Sequence, residues 1–285
     1  MKLKTEFKLL ALGAVICAGF ATPAWSANPP FTFTPSGSNP SLTTLAGTIY
    51  ADTFNGSDNA TITITPNGSG GFNAIETGIY RVNSFLLSGN PLDPSISPLS
   101  GLNATTGQAS SWGLYFAFNA TGTGTFGSQT LNSFNFNMWG DPTNNTAFST
   151  SGAILGGNAN DVLLGTGSLL TGTATVASVN PFNLALQGLD AFTPNTGVPG
   201  AGTFFTAPNP FYMNIGASAT AYGNQTITDN GNCPLGGPTS GNCILTITGG
   251  AATAGFSGTT VPEPETVALL GIGLLGLGFS RRKWS

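Results

Sequence analysis

Histidine is absent from this 285-residue chain, and basic residues are almost absent from its interior. Of the seven Lys and Arg, Lys2, Lys4 and Lys8 stand near the start and Arg281, Arg282 and Lys283 at the end, leaving Arg81 alone between them. Each absence excludes a chemistry. Without histidine there is no Ser-His-Asp or Cys-His arrangement, and without an interior lysine no amine to activate a serine. The interior acids are Asp52, Asp58, Glu76, Asp93, Asp141, Asp161, Asp190 and Asp229. A body so acidic is repelled by phosphate backbones, so nucleic acid is not an expected partner. Cysteine is scarce as well, at three residues, and with no histidine to join them no zinc set forms.

What is present begins at the two ends. Residues 1–26 read as a signal peptide, with a basic start, an apolar stretch over 9–20 and small residues in Ala24-Trp25-Ser26 that place the cut between Ser26 and Ala27. Cys17 lies inside the apolar stretch, well before that cut, so the leader is not of the lipoprotein kind. At the other end Val261-Pro262-Glu263-Pro264 precedes an uncharged, glycine-rich run over 267–279 and then Arg281-Arg282-Lys283. The prolines fix φ and hold their neighbours extended, so the motif is presented as an accessible peptide ahead of the run. In a bilayer the run is helical, since only a helix satisfies its backbone there, and the basic cluster holds its end on the cytoplasmic side. It spans roughly 20 Å against a ~30 Å hydrocarbon core, and its glycines weaken the helix, so it reads as a transient anchor for processing.

Between the ends the composition is low in charge and rich in Gly, Thr, Ser and Asn, with too many aliphatic and aromatic residues for disorder. Period-two alternation recurs: Ile62 and Ile64 among threonines, Trp112, Leu114, Phe116 and Phe118 on one face, Phe134, Phe136 and Met138 among asparagines, and Leu245 and Ile247 among threonines. Asn67-Gly68, Gly70-Gly71, Gly156-Gly157 and Pro194 punctuate these runs. The expected architecture is all-β: an antiparallel β-sandwich of jelly-roll type over 27–250, flanked by an N-terminal signal helix and a short C-terminal transmembrane-like helix. Residues 251–260, small and polar, read as a linker to the sorting segment 261–285.

Cys233 and Cys243 outlast the leader's removal and flank a short Pro/Gly-rich loop, which predicts a disulfide in an oxidising compartment. Gly156-Gly157-Asn158-Ala159-Asn160-Asp161 nearly fits a calcium nonapeptide, but that site needs tandem copies and one is present, so a plain turn is expected and no metal. Asp52, Asn55, Asp58 and Asn59 read as another oxygen-rich loop. A carboxylate pair including Glu76 is the one catalytic arrangement left open; otherwise these acids cap turns and aid solubility. Neither a catalytic residue nor a cofactor is assigned. Trp139 and Trp112 offer flat faces for stacking on sugar rings, against the commoner fate of strand aromatics as core.

The tail resembles the PEP-CTERM sorting signal on three parts in order: Val261-Pro262-Glu263-Pro264, the short apolar span and Arg281-Arg282-Lys283. The resemblance implies export through the secretion machinery and signal peptidase in a Gram-negative bacterium, a transient stay in the inner membrane, and cleavage near the motif by an exosortase. The destination is then the cell surface or the medium. Trp112-Gly-Leu-Tyr-Phe-Ala-Phe118, the run from Gly165 through Gly172 and Phe204-Phe-Thr-Ala-Pro-Asn-Pro-Phe-Tyr212 are similar to flocculation-associated PEP-CTERM proteins. That similarity implies a non-enzymatic matrix protein that associates with exopolysaccharide or with itself. A secreted polysaccharide hydrolase using two carboxylates is the alternative.

Overall fold

A computed structural model describes residues 30–33, 49–92, 113–125, 128–179, 182–195, 205–207, 211–220, 226–230 and 242–257. In chain order the strands are β1 (Phe31–Phe33), β2 (Ile49–Ala51), β3 (Thr53–Pro66), β4 (Phe72–Leu87), β5 (Asn90–Pro91), β6 (Gly113–Thr125), β7 (Ser128–Asp141), β8 (Ala147–Phe148), β9 (Ile154–Gly156), β10 (Val162–Val179), β11 (Phe182–Pro194), β12 (Phe205–Ala207), β13 (Phe211–Thr220), β14 (Thr226–Asp229) and β15 (Cys243–Ser257). The leader, its Ser26–Ala27 cut, Trp112, Cys233 and the segment 261–285 lie outside the described residues. Among the described residues no helix is long and apolar enough to cross a membrane.

The all-β expectation holds, but the sandwich does not. Strands β3, β4, β6, β7, β10, β11, β13 and β15 each pair antiparallel with the next, and β13 pairs with β15, which in turn pairs with β3. That closes a single sheet into an eight-stranded up-and-down barrel. Alternation cannot separate the two architectures, because a barrel wall and a sandwich sheet both bury every second side chain. Strand length and register do. β4 and β10 run to 16 and 18 residues, and the register shifts beside Gly56, Gly122, Gly165 and Gly250 let such long strands coil round rather than stack as two layers.

The inward residues fill the lumen in bands. At one end Phe54, Phe85, Phe116, Phe192 and Phe256 pack together, and Phe31 of β1 and Phe205 of β12 close over them. Nearer the other end Ile62, Ile64, Phe72, Leu245 and Ile247 form a second cluster. Space is shared between large and small residues, as a narrow barrel requires. A Cβ on inward-facing Gly167 would lie 2.1 Å from the Phe136 ring. Gly167→Val is therefore expected to cost about 1–3 kcal/mol or more by overpacking. Chemical denaturation would show it as a lower midpoint with an unchanged slope.

The segment read as a linker is partly wall. Residues 251–257 belong to β15, where they pair with β13 on one side and β3 on the other. Their small side chains fit because Ala252, Ala254 and Phe256 turn into the crowded lumen. The oxygen-rich loop over 52–59 is likewise not a loop, since Asn55, Asp58 and Asn59 lie within β3.

Candidate functional site

Two groups of acids stand out, on opposite faces of the wall. The first lies inside. Asp58 of β3 is in phase with Phe54 and Ile62 and so points inward, where it is 4 % exposed. Opposite it across the β3–β4 ladder stands Tyr80, and Glu76 lies two steps of alternation further along the same inward face, past Gly78. These three line a cavity of about 30 Å³ with Phe116, Phe118, Phe134, Leu186, Ile215 and Ala252. Asp190 of β11 also turns inward and is fully buried. Oδ1 of Asp58, both carboxyl oxygens of Asp190 and the Tyr80 hydroxyl have no hydrogen-bond partner.

Burial dominates the acidities there, because removing water penalises charge. It raises Asp58 to about 6 and Asp190 to about 7. Glu76, half-buried at its surface yet ringed by strands, is raised to about 8 by burial and then by the charge of Asp58. Tyr80 is pushed well up for the same two reasons.

The second group lies outside, under a flap formed by the β7–β10 connection. The β8–β9 hairpin folds back on the outer wall, where Asn59 Nδ2 donates to the Ser149 carbonyl (3.2 Å), Thr61 Oγ1 to that of Ser151 (3.2 Å) and Thr248 Oγ1 to that of Thr150 (3.1 Å). Gly152 sits at φ +80°, and a Cβ there would lie 2.1 Å from the Asn59 carbonyl, so only glycine allows this approach. Phe148 packs edge-on to Tyr115 at 5.0 Å, and the Arg81 guanidinium lies over the Phe148 ring at 5.2 Å. Tyr115, on the face that alternation assigns to solvent, is thereby buried.

Asp141 and Asp161 fasten the flap. Asp141 Oδ1 accepts from the Thr143 amide (3.0 Å) and Oδ2 from that of Thr146 (2.8 Å). Asp161 Oδ2 accepts from the Tyr115 hydroxyl and from Thr146 Oγ1 (2.9 Å). The near-nonapeptide is thus a short 3-10 turn over Asn158–Asn160, with Asp161 engaged by the wall. Burial raises Asp161 and, more strongly, Tyr115. Tyr115→Phe should cost about 1–2 kcal/mol, since it deprives a part-buried carboxylate of one of its two donors. Limited proteolysis between 142 and 160 should quicken before the barrel itself melts.

The remaining candidates are dispersed. Trp139, half-buried on the outer side of β7, stands between Tyr115 and Leu163. Cys243 is fully buried at the start of β15. Around the outer wall runs an uncharged ladder in which Thr61, Thr77, Asn119, Asn135 and Ser168 lie in register on successive strands. Among the described residues no three acids or cysteines converge as metal ligands. Sequence reasoning singled out Glu76, placed Asp58 on an oxygen-rich loop and gave Asp190 no role of its own. Their signal was a carboxylate in phase with the buried side of a strand, as Asp58 is with Phe54 and Asp190 with Phe192.

No curated protein and no solved structure matches the chain. One comparison does: residues 260–283, which begin just after β15 ends at Ser257, match the profile of the PEP-CTERM protein-sorting motif. The chain therefore carries the sorting signal of a PEP-CTERM exosortase substrate.

Proposed function

We propose that this is an exported matrix protein whose barrel, after exosortase cleavage, associates with exopolysaccharide or with other copies of itself and promotes flocculation or biofilm cohesion. The sorting match over 260–283 carries the reading, because such a tail directs a protein to the surface of a Gram-negative cell or beyond it. Its route runs through the secretion machinery, signal peptidase and a transient stay in the inner membrane. The outer wall supports the reading: its Thr, Asn and Ser rows present hydroxyl and amide groups without charge, which suits hydrogen bonding to a neutral glycan. Trp139, with Trp112, would add stacking surface. A bridge between Cys233 and Cys243 would brace the start of β15, and alkylation of either thiol only after reduction would test it.

The role is non-enzymatic in this account. The hydrolase alternative needs two carboxyls flanking a sugar, about 5–10 Å apart in an open cleft. Asp58 and Glu76 share a cavity instead, and at about 30 Å³ it has room for waters rather than a sugar ring. The test is genetic. Deleting the gene should reduce floc formation several-fold, and the full-length gene should restore it. Unchanged flocculation, together with no retention of the exported protein on the purified exopolysaccharide and no self-association, would overturn the reading.

A further inference from the structure

Among the described residues the lumen holds three carboxyls and a phenol but no base. Asp58 faces Tyr80 and Glu76 from β4, and the groups lining the cavity from β6, β7, β11, β13 and β15 are Phe116, Phe118, Phe134, Leu186, Ile215 and Ala252. Asp190, the other inward acid, pairs across the sheet with Leu169 of β10 and Met213 of β13. The nearest cation in sequence, Arg81, is on the outer face against Phe148. No positive charge among these neighbours balances an ionised carboxylate.

Asp58 also sits at a particular place in the wall. Its ladder partner is Gly250, where β15 shifts register, and a Cβ on Gly250 would lie 2.0 Å from Asp58 Oδ1. There too β15 changes neighbour, from β14 through Thr248 to β13 from Ala251 onward. The seam of the barrel thus runs past a buried carboxyl that has an oxygen without a partner.

We propose that the barrel is closed by protons: with Asp58, Glu76 and Asp190 protonated it is shut, and their ionisation admits water to the lumen and loosens the seam where β15 passes from β14 to β13. The direction follows from linkage. Each carboxyl is raised above its ordinary value, so the fold binds more protons than the unfolded chain across the interval. Their contribution is complete below the ordinary carboxyl range near 4 and is lost as pH rises through about 6, 7 and 8. A medium made alkaline would loosen the protein, and acidification would tighten it.

The experiment is thermal unfolding of the exported protein at constant ionic strength, from about pH 5 to about pH 9, beside Asp58→Asn, Glu76→Gln and Asp190→Asn. The wild-type Tm should fall by about 5–10 °C or more across that range, and each variant should flatten part of the fall. Hydrogen exchange, corrected for its intrinsic pH dependence, should rise first in β15 and β14. If a variant does not fold, the infrared carbonyl band of protonated carboxyls in the native wild type near pH 6 gives an independent reading, and it should fade as pH rises. A level Tm, absence of that band, or variants that all track the wild type in parallel would overturn the proposal.

Discussion

Phe54→Ala is expected to cost about 3–5 kcal/mol, the largest single loss that a side-chain truncation in this barrel should produce. The reason is where the ring sits. Phe54 is fully buried and meets five other rings, stacking on Phe31 at 4.7 Å and meeting Phe85, Phe116, Phe205 and Phe256 at 5.6, 5.9, 6.4 and 5.6 Å. Its neighbours come from β1, β4, β6, β12 and β15, so the ring joins the wall to the strands that close its end. A cavity in the midst of such rings cannot collapse without moving several strands, which puts the cost at the upper end for the substitution. Denaturant titration should read the loss, with Phe118→Ala as the comparison because Phe118 is only half-buried. Equal losses for the two would mean that the aromatic end is not the centre of the core.

The second large effect concerns the tail. A chain ending at Thr260 should fold with the stability of the longer protein, because the last described strand, β15, is complete at Ser257. It should nevertheless lose processing altogether, since all of the matched segment 260–283 except its first residue is then gone. Substituting Arg281, Arg282 and Lys283 together by neutral residues should leave the motif intact but remove the charges proposed to hold the apolar run's end at the cytoplasmic side. Mature protein should then fall sharply while unprocessed chain accumulates. Loss of folding in the truncated chain would instead make the tail a structural part of the barrel.

Much of this was legible before any coordinates. Alternation in Ile62 and Ile64, in Leu114 and Phe116, in Phe134, Phe136 and Met138, and in Leu245 and Ile247 gave strands with the buried side correctly chosen. Closure was not legible, because it depends on β13 meeting β15, a pairing between strands whose patterns would serve equally well at a sandwich edge. Parity puts Tyr115 on the solvent side, opposite Leu114 and Phe116, and only the flap, brought over by Gly152 and Phe148, buries it. The linker reading gave way because Gly and Ala suggest flexibility in isolation but fit a crowded lumen in context. Asp58 and Asp190 were hidden differently. Each follows the strand period, but period arguments count apolar residues, and a buried carboxyl is invisible to them.

The sorting account rests on cleavage, so the intact mass of the exported protein, taken from the native host with and without its exosortase, tests it most directly. The account predicts a mature chain that begins at Ala27 and ends near Pro262 when the enzyme is present, and one that retains Arg281, Arg282 and Lys283 when it is absent. A chain that keeps those three residues in the presence of the enzyme would contradict it, and the surface-matrix reading would lose the observation on which it stands.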